Sequence, residues 1–292
     1  MNKMRREQAD TSYPNGGLRE PSALRSFFRS NLNHWTDFYK RTDIYARIYQ
    51  ERQATALRYA EALNLPVGSL VLDAGCGPGL TSASLAQKDY VVHALDFLHE
   101  MAAAARELGR DIEAGDRVQP TVGDATRLPF TDCVFDLVVM LGVTEWVAPL
   151  DSLVGEAARV IKPGGHLIIA WNNRWSLHLV LNPTANPLLA PLLATTRSRV
   201  RGILERRGWI SPSPRGYLYS LRNFRNVLRL QGLTVSHVRG IGFGPFGLLL
   251  WNVVPEKMGQ RLNSELQKLA DHRVPFLQAA ARNYVAVARK LL

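Results

Sequence analysis

The chain has 292 residues, 46% of them hydrophobic, which is long and apolar enough for one large α/β domain with attachments. Lys and Arg number 36 against 25 Asp and Glu, a formal charge of +11 that invites an anionic partner. The two cysteines, Cys76 and Cys133, have neither metal nor redox spacing, which excludes a disulfide framework and fits a reducing cytoplasm. No polar–apolar pattern near Met1 looks like a signal peptide, and Ile241 to Val254 is too short and glycine-broken to cross a bilayer. The expectation is a soluble, cytoplasmic protein.

Residues 1–20 read as a disordered tail and residues 21–64 as a helical lid. Between Ser22 and Leu63 the helical periodicity carries Phe27, Phe28, Trp35, Phe38, Tyr39, Tyr45, Tyr49 and Tyr59. Such a segment packs on a sheet or closes over a ligand. In the second case Tyr45 and Tyr49 face inward.

The most informative run comes next: Leu70-Val71-Leu72-Asp73-Ala74-Gly75-Cys76-Gly77-Pro78-Gly79-Leu80-Thr81. A short apolar strand ends on an acid and breaks into three alternating glycines, and a helix pattern follows over Thr81 to Gln87. Glycines let the chain turn sharply and let a ligand lie against bare main chain. The carboxylate of Asp73 would repel a pyrophosphate but attract an ammonium. A nucleoside with a cationic amino-acid tail is implied, and S-adenosyl-L-methionine fits. The competing dinucleotide fingerprint, G-x-G-x-x-G, wants a third glycine where Leu80 stands, and Pro78 removes an amide donor.

A second apolar run, Tyr90 to Leu95, ends on Asp96, placed to accept hydrogen bonds from ribose hydroxyls. A third strand, Val118 to Val122, is followed by Asp124 and Ala125, where a carboxylate can meet an adenine amino group. Phe135 to Leu141 reads as a strand buried on both faces. A helix over Asp151 to Ile161 runs into the turn Lys162-Pro163-Gly164-Gly165 and a fifth strand, His166 to Trp171.

These segments carry a family resemblance. Val71–Gly79, Gly123–Phe130, Phe135–Val138 and Ile161–Gly165 resemble the Val-Leu-Asp-x-Gly-Cys-Gly-x-Gly, Gly-Asp-Ala-x-x-Leu-Pro-Phe, Phe-Asp-Leu-Val and Leu-Lys-Pro-Gly-Gly segments of class I S-adenosylmethionine-dependent methyltransferases. The small-molecule, type 11-like branch is the nearest in pattern, over about Val67 to Asn172. The resemblance implies a doubly wound, Rossmann-like α/β fold. Its sheet would have seven mostly parallel strands with helices on both faces, a helical N-terminal extension, and insertions after strands 5 and 6. It also implies that Asp73, Gly75, Gly77 and Gly79 line the methionine end of S-adenosyl-L-methionine. Asp96 would hold the ribose, Phe97 and Met101 would flank the adenine, and Asp124 with Ala125 would meet its edge. Leu141, at the end of strand 4, and the lid tyrosines Tyr45 and Tyr49 complete the expected cofactor contacts.

The methyltransferase domain would then span residues 65–292, with substrate-side insertions at 173–215 and 240–280. A helix over Leu221 to Leu230 and strands over Thr234 to Arg239 and Tyr284 to Ala288 resume the fold. Insertions at strand ends overhang the cofactor crevice, so both are expected as substrate walls, with Phe243 and Phe246 aimed at an apolar acceptor. Glu145, beyond strand 4, and His178, beyond strand 5, are the polar groups best placed to act as a general base. The remaining histidines lack ligand spacing, and no metal is expected.

The charge concentrates outside this core, at Arg197, Arg199, Arg201, Arg206, Arg207, Arg215, Arg222, Arg225 and Arg229. A solvated helix face, an anionic substrate or peripheral contact with an anionic membrane all account for it. Nucleic acid is disfavoured, because strand 4 leads into Leu141-Gly142-Val143-Thr144-Glu145-Trp146 and not the Asn/Asp-Pro-Pro-aromatic loop of base amino methylation. The reading is a methyltransferase acting at oxygen or carbon of a small-molecule or lipid-like acceptor. The alternatives are an RNA-modifying methyltransferase using residues 197–229 and a non-catalytic S-adenosylmethionine-binding partner protein. A dinucleotide oxidoreductase stands behind both, and the oligomeric state stays open.

Overall fold

The computed structural model describes residues 21–291 except 113, 184, 209–215, 249–250, 253, 273 and 275, so the tail expected over 1–20 lies outside the described residues. Seven strands share one sheet: β1 (Leu70–Ala74), β2 (Val91–Asp96), β3 (Val118–Val122), β4 (Phe135–Met140), β5 (Ile161–Asn172), β6 (Leu233–Ile241) and β7 (Asn283–Lys290). Their spatial order is β3-β2-β1-β4-β5-β7-β6. All pairs are parallel except those of β7, which runs antiparallel to both neighbours. This is the doubly wound, mostly parallel α/β sheet expected.

The sequence explains which strands sit centrally. Leu137 to Met140 and Leu167 to Trp171 are buried on both sheet faces, as their unbroken apolar runs require. β3 lies at the edge, with Gln119 and Pro120 exposed, and an edge strand tolerates a proline that cannot donate to the ladder. The expected turn over Lys162–Gly165 is drawn into β5 instead. Ile161 pairs with Phe135 and His166 with Leu137, so the residues between bulge out, helped by Gly164 at φ 77.

Helices cover both faces. They are α1 (Pro21–Ser30), α2 (Leu32–Phe38), α3 (Ile44–Ala62), α4 (Leu80–Ala86), α5 (His99–Asp111), α6 (Leu150–Val160), α7 (Leu177–Val180), α8 (Ala190–Arg206), α9 (Leu221–Leu230), α10 (Glu256–Asp271) and α11 (Leu277–Ala280). On one face α6 and α9 bury Leu153, Val154, Phe224 and Leu228, with Phe224 stacked on Trp171 at 3.9 Å between ring centroids. On the other, α3, α4 and α5 bury Ile48, Leu85 and Ala105 against Val71, Val92 and Leu137.

The long helix α3 is fixed at its start, along its length and from the side. Asp43 caps it, accepting hydrogen bonds from the Tyr45 and Ala46 amides. Ile44, Ile48, Arg52, Ala56 and Ala60, four residues apart, form its buried stripe. From the sheet edge, Arg239 holds α3 through Glu51 at 2.6 Å while it grips Asp271 of α10 at 2.7 Å.

The excursion expected as a substrate wall over 240–280 packs elsewhere. A side chain on Gly242 would press on Ile48, and one on Gly244 would overlap Ile44, so bare backbone is needed where this segment crosses α3. Phe243 is fully buried with Ala270 and Ala281 and is a core residue of this side cluster. The expected role of Phe243 and Phe246 as acceptor contacts is therefore corrected: neither lines the cavity at the strand ends.

Candidate functional site

The order of strands reverses between β1 and β4, and a cavity of about 340 Å³ opens there, at the carboxyl ends of β1, β2 and β4. One wall is built from strand ends and tight turns. Gly75, Gly77 and Gly79 have φ of 76°, 53° and 88°, the left-handed region that glycine enters without steric cost. They divide the work. A Cβ on Gly75 would overlap Val143 and one on Gly79 would overlap the Ala105 backbone, whereas one on Gly77 would meet nothing within 4 Å. Gly77 is thus the bare stretch of main chain offered to a ligand. Gly79 lies behind the wall, packed on α5, and does not line the cavity.

Three carboxylates lie along this wall. Asp73 is buried and accepts a hydrogen bond from Ser82 Oγ at 2.6 Å. Burial pushes its carboxyl up to about 6, opposed by the Ser82 hydrogen bond and assisted by the charge of Asp96. Asp96 is also buried and accepts from the Gly77 amide at 3.0 Å and the Leu98 amide at 2.9 Å, one on each oxygen. Burial nevertheless keeps its pKa above the ordinary carboxylate range. Asp124 is exposed and lines the cavity, and its Oδ1 accepts from the Thr126 amide and hydroxyl. Phe97, Met101, Ala125 and Leu141 complete this side.

The opposite wall is helical and aromatic. Phe28 of α1 meets Phe97 at 5.6 Å and Trp146 at 5.3 Å, both edge-to-face, and Trp35 lies 5.4 Å from Phe28. Phe38 and Tyr49, 5.1 Å apart, continue the cover. Tyr49 lines the cavity as expected, and Tyr45 does not. One turn earlier on α3, Tyr45 is 38% exposed and carries the Arg282 guanidinium 4.9 Å over its ring.

At the base of this wall lies the site's most costly arrangement. Arg52 and Glu145, 3% and 2% exposed, face each other at 3.6 Å and both line the cavity. Arg52 Nε and Nη1 and Glu145 Oε2 are buried without a hydrogen-bond partner. Burial works to lower the Arg52 pKa, but the Glu145 charge and the Tyr39 and Tyr49 phenols more than offset it, so the group stays cationic. The guanidinium also sits 4.1 Å over the Tyr49 ring. Sequence reasoning misses Arg52, whose one signal is a lone charge inside the four-residue apolar stripe of α3.

His178 is not part of this cavity. It is turned under Arg282, Nε2 to Nη1 at 3.1 Å, and burial followed by the Arg282 charge drives its pKa well below the ordinary value. The first excursion also stays outside the cavity lining among its described residues. Only Tyr217, just after it, reaches the lining, tied by its amide to the Glu145 carbonyl at 2.6 Å.

The sheet ordered 3-2-1-4-5-7-6, the glycine turn after strand 1 and the acids ending strands 1 and 2 lie within or beside the segment that matches a methyltransferase family model. Residues 72–169, about a third of the chain, match the Methyltransferase domain family. Over 111 residues the chain is 38% identical to a malonyl-(acyl-carrier protein) O-methyltransferase of Erwinia billingiae, covering 38% of this chain and 42% of that protein. Over 110 residues it is 36% identical to a demethylmenaquinone methyltransferase of Beutenbergia cavernae, covering 38% and 43%. The chain thus matches about two fifths of the length of these curated relatives. In fold it is similar to the magnesium protoporphyrin IX methyltransferase of Synechocystis PCC 6803 with bound SAH, at TM-score 0.59 and 18% identity, over 92% of this chain and 98% of that one.

Proposed function

We propose that the chain transfers a methyl group from S-adenosylmethionine to oxygen or carbon of a small or lipid-like acceptor. The observation that carries this reading is the buried, half-satisfied Arg52–Glu145 pair in a cavity whose other wall offers Asp73 and bare Gly77. Buried polar atoms left unpaired cost roughly 1–3 kcal/mol each, more when charged, so a ligand that pairs with them is strongly favoured. Arg52 Nε and Nη1 suit a carboxylate, and the ionised Asp73 suits an ammonium. Together they fit the zwitterionic tail of an amino acid. Asp96 has lone pairs beyond its two amide partners for ribose hydroxyls, and Asp124 meets an adenine edge.

S-adenosylmethionine, when bound, supplies a methyl group on a positively charged sulfur. The chain's own residues do the rest. Phe28, Trp35, Phe38 and Tyr49 line the cavity and exclude water from the reacting centre. Glu145, with Oε2 free of hydrogen bonds, accepts the proton of an acceptor hydroxyl or carbon acid. The Erwinia and Beutenbergia relatives, which methylate an acyl-carrier-protein-linked substrate and a quinone, support the small or lipid-like class.

Titration calorimetry tests the reading. S-adenosylhomocysteine is expected to bind in the micromolar range and NAD not at all. Tight NAD binding without a response to the sulfur nucleoside would overturn it. Labelled methyl appearing in RNA and not in an apolar hydroxylated acceptor would replace the acceptor class.

A further inference from the structure

The charge of this molecule is concentrated in one part of the chain. From Asn173 to Leu230 there are ten arginines and a single acid, Glu205. The same stretch holds the densest run of exposed large apolar side chains. Leu181, Leu188, Leu192, Val200 and Ile203 are 59%, 69%, 81%, 46% and 44% exposed. On α8, Leu192, Leu193, Val200 and Ile203 fall at helical spacing on one stripe, with Arg199 and Arg206 exposed beside it. A monomer in water gains nothing by holding such a stripe in solvent.

We infer that this excursion docks on an anionic lipid surface, with α8 lying in the interface plane. An apolar face flanked by arginines is what that boundary takes: aliphatic side chains enter the acyl region while guanidinium groups meet lipid phosphates. Two other occupants fit less well. A second copy of this face would bring Arg199 and Arg206 of one chain against those of the other, like charge on like. RNA would match the charge, but bases stack on aromatic rings, and among the described residues from Asn173 to Leu230 Trp175 is the one exposed aromatic side chain against a run of exposed aliphatic ones. Trp175, 43% exposed at the start of the excursion, suits the headgroup level. No helix among the described residues is long and apolar enough to cross a membrane, so the contact is peripheral.

The position of the excursion gives the contact a use. It leaves the sheet at Asn173 and returns at Tyr219, which are bridged to each other, and Tyr217 lines the cavity. Docking through α8 would set the cavity beside the bilayer surface, from which a lipid-dissolved acceptor could enter. That consequence rests on the proposed methyl transfer. The docking itself does not.

Vesicle flotation with the full chain tests the inference, using phosphatidylglycerol and phosphatidylcholine in equal parts against phosphatidylcholine alone. The protein is expected to float with the anionic vesicles only, and less as salt rises. The pairs Arg199→Glu with Arg206→Glu, and Leu192→Asp with Ile203→Asp, should each weaken partition about tenfold or more. Both should leave S-adenosylhomocysteine affinity within about twofold, which shows that the fold is intact. A wild-type chain that ignores anionic vesicles, or floats equally with neutral ones, overturns the inference. So does salt-sensitive RNA binding without vesicle binding. Failure of cofactor binding with flotation intact would overturn the methyltransferase reading alone.

Discussion

The two walls of the cavity hold a ligand by different physical means. The wall of strand ends works through backbone: positive φ at Gly75, Gly77 and Gly79, and amide donors fixed on Asp96. The wall of helices works through side chains: an arginine, a buried carboxylate and a cluster of rings held by edge contacts. A backbone device tolerates almost no substitution at its glycines. A side-chain device concentrates its cost in one or two groups, here Arg52 and Glu145. The first wall sets shape through its glycines and presents the acids Asp73 and Asp96. The second supplies the buried Arg52–Glu145 pair and the ring cover, a division that mutations can probe.

The largest effect is expected at the charged pair. Arg52→Met leaves Glu145 buried and unpaired and should destabilise the fold by about 3–5 kcal/mol, read by denaturant unfolding. Adding Glu145→Gln should recover most of that stability and none of the cofactor affinity. Recovery of both would mean that the helical wall serves only folding. On the backbone wall, Gly79→Ala pushes a methyl into the Ala105 main chain at φ 88 and should cost about 2–3 kcal/mol of stability. Gly77→Ala, facing open space at φ 53, should cost about 1 kcal/mol in stability yet weaken cofactor binding at least as much as Gly79→Ala. Equal stability losses at the two glycines would mean that both serve the fold alike and that neither is reserved for the ligand.

The smallest effect carries a sign. The Asp73 carboxyl is pushed from the ordinary 3.8 up to about 6 in the folded chain, chiefly by burial. At pH below 3.8 both states hold the proton. Through the window from 3.8 to about 6 the unfolded chain loses it first, so stability falls as pH rises and stays lower above it. Asp73→Asn should remove that slope and raise unfolding stability at neutral pH by about 1–3 kcal/mol. The same change should weaken S-adenosylhomocysteine binding about tenfold, from loss of one charge-assisted hydrogen bond. A variant that is neither more stable nor weaker in binding would place the ammonium partner elsewhere.

The backbone wall is legible in the sequence because its parts are local. An acid and three glycines within seven residues, Asp73 to Gly79, state their geometry without reference to the rest of the chain, and Asp96 and Asp124 follow from strand ends. The helical wall is half legible. The aromatic density of 21–64 announces a cover, but Arg52 gains its meaning from Glu145, 93 residues later, and nothing near either residue signals the pairing. Tyr45 departs from its expected place for the same reason, since the distant Arg282 claims its outer face. His178 stands where a base could act if only its place after β5 counted, while the short α7 and Arg282 turn it away from the cavity. The glycines around Phe243 suggest a ring aimed at an acceptor. They instead let the segment press on Ile44 and Ile48.

The grip of Arg239 on Glu51 and Asp271 splits the helical cover into parts of unequal permanence. α3, pinned from the sheet edge and buried along its stripe, opens only when the domain does. α1 and α2 are held by ring contacts and by an exposed Arg29–Glu100 pair at 2.8 Å, which belong to the low-stability end of local opening. The stretch from Tyr39 to Asp43 is tied to α3 and α10, its carbonyls accepting from Gln50, Arg47 and Gln260. A pivot between α2 and α3 therefore falls ahead of it, at the end of α2. Swinging α1 and α2 about that pivot would uncover the nucleoside end while Arg52 stayed in place. On the proposed function, spent cofactor would then leave and fresh cofactor arrive past a flap, with Arg52 standing throughout.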